Sequence, residues 1–549
     1  YGGSSVYGTG NPVALLKDYG HIRNVYGTLL ADLSIRQDLS ALTKGLAAEA
    51  SVSFDNIGGM NETTNKEYRY MNSNASITSD GTLVTTPAIY GTDSETLGHT
   101  QPFERLMLRS DFQAKVDYNR TFGKHQVGGA LIYDMQSVVK NGRNNSQKNQ
   151  SVLVNATYTY DNRYSLNAVF NRSGSAYLPD GDKYSNYPAV SAAWIVSNEA
   201  FMEKVTPINL FKIRASYGLS GWDGNLSHEL WRQSYGSGGA GYNFGVNAGG
   251  QSGGSEGDLP VIGLVAEKSQ KATFGFDLAA FDNRLNATVE GFYEKRSDIL
   301  VSGANSTSGI IGITVGQVNE GIYKYKGLDA SLSWNDKIGD FHYGIGASMS
   351  YLNTEVVNVN QAYQEYDYLY TKGNRIGQMY GLEAIGFFNS QQEINNSPQQ
   401  TFSDVAPGDV KYKDQNGDNR IDEKDVVKMF GSSVPRFYFG FNLNFSYKRV
   451  ELSADFQGMT GVTVSLLNSP LYSPLVSNGN ISNTFLNEEI SWTPENKTNA
   501  TMPRLTTQEN LNNYRASSLW YRDGSFLKLR NLLVAYTFPK SQTRFADLK

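Results

Sequence analysis

Along much of this chain the side chains alternate in character, one residue at a time. In FKIRASY, Phe211, Ile213, Ala215 and Tyr217 are apolar or aromatic, and Lys212, Arg214 and Ser216 between them are polar. FNLNFSY repeats the pattern, with Phe441, Leu443, Phe445 and Tyr447 set against Asn442, Asn444 and Ser446. FGFDLAAF, from Phe274, does the same. A period of two belongs to the β-strand, whose successive side chains point to opposite faces. Such a strand wants an apolar medium on one face and water on the other. A sandwich and a membrane barrel both meet that demand.

Strand length and spacing choose between them. The segments 127–138, 285–296 and 341–352 read as strands of about 12 residues, well beyond the common length of about 5–6. Short turns occur at NRTFGK (119–124), YDNR (160–163), FDNR (281–284), NDKIGD (335–340) and YKR (447–449). Between them lie long polar segments, 57–100, 220–265, 301–318, 354–435 and 461–523. Outer-membrane barrels have this asymmetry, with short periplasmic turns and long outer loops. The pattern predicts an all-β, transmembrane antiparallel β-barrel with about 15 strands in this chain. Parity places segment 354–435 outside the cell, because strand 341–352 leaves one short turn and strand 436–446 enters the next.

Composition supports this reading. Aromatic residues make up 12% of the 549 residues but all hydrophobic residues only 39%, as expected when half of each strand faces water. No run of about 18 apolar residues forms a membrane helix; barrel strands need only about 9–11 residues each. The net charge of −5 offers no basic patch for nucleic acid. There is no cysteine, which excludes disulfides and thiolate metal sites and suits an oxidising periplasm. The chain opens on YGGSSVYGTG without Met or signal peptide, so it is expected to be an internal piece of a longer protein.

One stretch, KYKDQNGDNRIDEKD (411–425), has the spacing of a calcium loop. Asp414, Asn416, Asp418, Asp422 and Asp425 stand at positions 1, 3, 5, 9 and 12, with the Arg420 carbonyl at position 7 and Ile421 as apolar anchor. Asn419 replaces the usual Gly at position 6, a left-handed conformation that Asn tolerates. Asp425 is shorter than the usual Glu. The reading is a structural Ca2+ that stiffens an outer loop; the alternative is an Asx-rich turn without metal.

Other candidates are aromatic or charged. The Gly-rich segment 235–258 formally contains G-x-G-x-x-G but lacks the strand-turn-helix setting of a nucleotide site, and reads as a flexible outer loop. Trp222, Trp231, Tyr242 and Phe244 offer aromatic faces there, for cargo, for a lid, or for loop packing. Trp520 and Tyr521, near the outer boundary, and Trp194, near the periplasmic end, read as belt residues. Lys212, Arg214, Lys528 and Arg530 are assigned to the lumen, since on the lipid face each would cost about 2–4 kcal/mol at the midplane. No catalytic motif occurs: the five His are scattered, with no H-E-x-x-H and no G-x-S-x-G.

Five stretches, in order, resemble the SusC/RagA-type TonB-dependent transporters of Bacteroidetes outer membranes. They are KIRASYGLSG (212–221), FGFDLAAFDNRLNATVEGFYEKRSDIL (274–300), GNRIGQMYGLEAIGFFNSQQEI (373–394), the segment from APGDVKYKD to ELSADFQG (406–458), and YRDGSFLKLRNLLVAYTFP (521–539). The resemblance implies a barrel of about 22 strands closed by a plug, a SusD-like lipoprotein lid, and energy from the TonB complex. Residues 1–549 are then one partial barrel domain, with plug and closing strands outside this chain. The expected function is import of glycans or oligopeptides across the bacterial outer membrane, without enzymatic activity. The alternatives are a non-transporting scaffold in an outer-membrane assembly and a secreted, calcium-stabilised β protein.

Overall fold

The computed structural model describes residues 2, 11–78, 80–140, 146–243, 250–303, 310, 312, 315–467, 469, 490–506 and 508–539. Fifteen long strands follow one another in chain order among these residues. They are β1 (Gly20–Asp38), β2 (Leu46–Asn65), β3 (Phe103–Phe122), β4 (His125–Val139), β5 (Gln147–Tyr160), β6 (Tyr164–Ser175), β7 (Tyr184–Ile195) and β8 (Ile208–Trp222). Then come β9 (Glu267–Ala280), β10 (Leu285–Ser302), β11 (Gln317–Ile338), β12 (Phe341–Asn358), β13 (Phe437–Tyr447), β14 (Val450–Thr460) and β15 (Phe526–Tyr536). Their connections mostly alternate between short and long, as the sequence predicts, with 196–207 at the short-turn end longer than 176–183 before it.

The chain divides into two compact units. One holds residues 1–120, 128–154 and 171–177. Within it β1 pairs antiparallel with β2 and β2 with β3. Leu33, Val52 and Phe112 share one face, and Arg36, Glu49 and Lys115 share the other. On that polar face Arg36 donates to Glu49 at 2.8 Å and to Asp117 at 3.0 Å.

The other unit holds residues 121–127, 155–170 and 178–549. Strands β7 to β15 form an antiparallel meander there, and two adjacent rows of side chains display its two faces. Ile213, Phe276, Val289, Ala330, Met349, Phe439, Gly458 and Leu527 are register partners across eight strands. The next row is Lys212, Asp277, Thr288, Ser331, Ser348, Gly440, Gln457 and Lys528. A shift of one residue thus changes an apolar row into a polar one, which fixes the register wherever the faces meet different media.

The apolar face carries large exposed side chains, including Phe274 at 64% and Leu332 at 52%. Exposure of that extent along a whole face marks contact with lipid. Aromatic residues collect at both ends of it. At the short-turn end Tyr164 stacks on Trp194 and Phe281 leans on Trp334; at the other end Tyr351 meets Phe437. On β7, Tyr184 and Trp194 are ten residues apart. That is about 34 Å along the strand, or roughly 24 Å of height at a tilt of ~45°.

The turns follow from their residues. Asp161 and Asn162 both have φ of +52°, the twist-matched turn for a two-residue hairpin. One connection at this end is longer. Residues 196–207 are held there by Glu199, which accepts from Tyr164 Oη at 2.6 Å, Trp194 Nε1 at 2.9 Å and Arg163 Nη1 at 3.0 Å.

Several boundaries differ from the sequence reading. β10 and β12 run six residues beyond the predicted 296 and 352. Residues 57–65, assigned to a loop, continue β2. Their Gly, Asn and Thr carry no alternation, because a strand that projects into water meets the same medium on both faces. The Gly-rich segment forms a hairpin, Tyr235–Asn243 against Gly250–Glu256.

Candidate functional site

The polar wall of the second unit is held by its own charges. Lys212 and Asp277 are register partners, and Lys212 Nζ lies 3.2 Å from the Asp277 carboxylate. Arg214 Nε is 3.4 Å from Asp277, and its guanidinium also pairs with Glu290. Between Arg214 and Glu290 stands Gly275, partner to both. A Cβ on Gly275 would come within 2.5 Å of the Val289 carbonyl oxygen, so this position stays bare and the arginine spans it. Lys528 faces Gln457 in register, and Arg530 Nη1 donates to Gln457 Oε1 at 2.6 Å. All four basic residues assigned to the lumen therefore lie on the polar face. A wall of paired charges, hydroxyls and amides is wetted by water and excluded from lipid.

The two longest connections, 359–436 and 461–525, fold together. Leu382, Val410, Tyr412 and Ile421 form one buried apolar cluster, and Met502 and Trp520 another. Asp409 is fully buried between them. It accepts from Arg504 Nε at 2.8 Å and Nη2 at 3.2 Å, from Asn510 and Asn513 Nδ2 at 3.0 and 2.9 Å, and from the Ala406 N–H at 2.7 Å. Gln400 and Asn512 extend the network: Gln400 Nε2 donates to Asn512 Oδ1 at 2.9 Å, and Tyr412 Oη donates to the Asn512 carbonyl at 2.7 Å. Burial raises the pKa of Tyr412 far above its ordinary value, so it serves as a neutral donor. A buried carboxylate this fully satisfied costs little to keep and much to disturb.

Sequence reasoning missed this core, because Gln400, Asp409, Asn510, Asn512 and Asn513 look like solvated loop residues. It also placed Trp520 and Tyr521 in the membrane belt. Trp520 instead has no exposed surface and donates from Nε1 to the Asn513 carbonyl at 2.8 Å, and Tyr521 donates to the Tyr380 carbonyl at 2.8 Å. The Tyr521 partner lies 141 residues away in sequence, and Trp520 bonds seven residues back to Asn513, itself buried in the loop core. Trp194 does lie in the belt.

The segment 414–425 is a tight turn on this core. Ile421 is buried in the cluster, as an apolar anchor should be. Asn419 has φ of +60°. Asp414 accepts from the N–H groups of Gly417 at 2.7 Å and Asn419 at 2.9 Å, and Asp418 accepts from the Arg420 N–H at 2.8 Å. Asn416 Nδ2 donates to Asp418 at 3.0 Å. Asp422 and Asp425 form a reciprocal cap on a single 3-10 turn, and the buried Asp425 also accepts from the Gln415 N–H at 2.7 Å. The oxygen donors have the chemistry of a hard-cation site, yet each carboxylate is also engaged with the backbone. Among the described residues no three His, Asp or Glu side chains converge as a metal cluster.

Of the four aromatic candidates, the side chains of Trp222 and Trp231 are described. Trp222 ends β8 and is half exposed. Trp231 carries the Arg232 guanidinium 4.4 Å from its ring centre. Tyr242 sits in the hairpin strand Tyr235–Asn243; its side chain, and Phe244 altogether, lie outside the described residues.

No family model matches the chain. It is 28% identical over 393 residues to TonB-dependent receptor P26 of Formosa agariphila, covering 70% of this chain and 38% of that protein. It is 21% identical to TonB-dependent receptor SusC of Bacteroides thetaiotaomicron, over 70% of this chain and 38% of that one. The solved structure of the RagAB peptide transporter superposes with a TM-score of 0.67 at 17% identity, covering 94% of this chain and 56% of the other. The chain is similar to TonB-dependent receptors, SusC among them. It spans less than half the length of the curated relatives it matches. As with these receptors, its fold is an all-β outer-membrane barrel, and its place is the outer membrane. The curated relatives it matches are all named as TonB-dependent receptors.

Proposed function

We propose that this chain forms the greater part of the barrel of an outer-membrane nutrient importer. Its cargo would be glycans or oligopeptides, its lid a SusD-like lipoprotein, and its energy source the TonB complex acting through parts of the protein beyond this chain. The observation that carries this reading is the polar row from Lys212 to Lys528. Eight consecutive strands turn hydroxyls, amides and paired charges away from lipid, which gives a hydrated wall along which a polar solute can pass. The folded loop core at the far end of the strands supplies a rigid platform on which a lid or cargo can seat.

Deletion of the gene tests the reading. Cells lacking it should lose uptake of one class of labelled oligosaccharide or oligopeptide, and the full-length protein drawn from outer membranes in mild detergent should carry a stoichiometric lipoprotein. Unchanged uptake of both classes, with assembly or secretion components as the copurifying proteins, would make the barrel a scaffold.

We further propose that segment 414–425 holds a structural Ca2+ through Asp414, Asn416, Asp418, Asp422, Asp425 and the Arg420 carbonyl. The ion would draw together carboxylates that otherwise serve only the turn. Calcium should slow proteolysis within 399–436 in the full-length protein, and Asp414→Asn should abolish that protection. Equal cleavage rates with calcium and with chelator would leave the turn as an Asx-stabilised one.

A further inference from the structure

Where β13 stops pairing with β12, the segment 373–377 takes its place. The Gly373 N–H donates to the Val356 carbonyl at 2.7 Å, the Val356 N–H to the Asn374 carbonyl at 2.8 Å, and the Ile376 N–H to Thr354 Oγ1 at 3.1 Å. Residues 432–434 brace it from the other side. Ser432 Oγ donates to the Ile376 carbonyl at 2.8 Å, and the Ser433 N–H to the Gly377 carbonyl at 2.8 Å. Two arginines stand in this bracket. Arg375 Nη2 donates to the Val434 carbonyl at 2.8 Å. Arg436 is fixed by its backbone between β12 and β14, its carbonyl accepting from Leu352 at 2.9 Å and its N–H donating to Thr460 at 3.0 Å.

The two guanidiniums are anomalous. Each has a buried Nε with no hydrogen-bond partner. Among the described residues neither pairs with a carboxylate, whereas Arg214, Arg296 and Arg504, also partly covered, each hold one or two. Burial, and then the charge of Arg436, push the pKa of Arg375 below its ordinary value. A guanidinium does not escape such a position by losing its proton. Arg375 reaches the Val434 carbonyl, two residues before Arg436, so one bracket of backbone holds two like charges with donors left over, an arrangement complementary to a doubly coordinating anion.

We propose that Arg375 and Arg436 form a binding site for an oxyanion (a carboxylate, sulfate or phosphate group) at the loop end of β12 and β13. Naming the cargo as the bearer of that group rests on the importer reading; the site itself does not. An anionic lipid headgroup offers the same chemistry, and the test separates the two sources.

The experiment is a thermal melt of the full-length protein in neutral detergent, titrated with sodium sulfate, phosphate or acetate at constant ionic strength against chloride. The wild-type midpoint should rise with at least one oxyanion. Arg436→Gln should raise the half-saturating concentration about tenfold or more, the loss of one charge-assisted contact. Arg375→Gln should behave likewise, with a chloride midpoint that also reflects the Val434 hydrogen bond it gives up. A response to soluble ions assigns the site to a water-borne group, and a response only to added phosphatidylglycerol assigns it to lipid. No response to either, or an Arg436→Gln protein with the half-saturating concentration of the wild type, overturns the proposal. Failure of the uptake experiment above leaves this result standing, so the two readings fall separately.

Discussion

Asp409 carries the most weight of any single side chain in the loop core. Its carboxylate receives five donors and leaves no part of itself in water. Asp409→Ala would strand the Arg504 charge and the two Asn amides, a change that costs about 3–5 kcal/mol for a buried pair. Amide exchange within 376–432 and 490–524 should speed accordingly in the full-length protein, while exchange in β9 to β12 stays slow. Uniform loss of protection would show instead that loops and strands unfold together. The same core has an acid limit. The Asn389 N–H, and with it Lys411, holds the Glu393 carboxyl below its usual range, as Gln415 and Lys413 do for Glu383. A lowered pKa gives stability that is full above the ordinary carboxylate value of about 4.3 and is lost as pH falls through the lowered value. Fluorescence of Trp492, whose Nε1 contacts Asn389 at 3.4 Å, should shift on acidification below about pH 4, and Glu393→Gln should weaken the pH dependence of that shift. None of this was legible in the sequence. Asp409 meets partners about a hundred residues away, and no local spacing records a contact of that kind. Ile421 was legible, because an apolar residue amid ten polar ones has one evident use.

The strands were legible for the opposite reason. Their information is local: each apolar-polar alternation states which face meets lipid, and the turn residues state where the chain reverses. What the sequence could not give was the reach of the strands above the membrane, since β2, β10 and β12 continue where both faces meet water. The two-faced register has a direct test. Val289 lies in the apolar row and Thr288, its neighbour on β10, in the polar row. Val289→Arg should cost about 2–4 kcal/mol on folding into lipid vesicles, the depth-dependent cost of an arginine against hydrocarbon. Thr288→Arg places the same charge beside Asp277 on the wetted wall and should fold with near wild-type yield. Equal losses from both variants would mean that β10 is not an interface between lipid and water.

At the scale of the whole molecule, alternating connections commit the chain to one orientation. The strands are long enough to span a bilayer, and the longest connections, 66–102, 223–266, 359–436 and 461–525, leave from the end opposite the tight turns. Gly263 and Gly339 make matched probes of this. Both have positive φ, +69° and +60°, and space for a Cβ with no atom within 4 Å, so an inserted epitope tag disturbs little in either place. Gly263 lies in the connection before β9, with the long loops, and Gly339 in the two-residue turn between β11 and β12. In intact cells antibody should label a tag after Gly263 and miss one after Gly339, and opening the outer membrane should reveal the second. The reverse pattern would put the loop core and the Arg375–Arg436 pair in the periplasm, where neither a surface lid nor external cargo could reach them. Labelling of both in intact cells would remove the membrane from the argument altogether and leave the exposed apolar face from Ile213 to Leu527 without its solvent.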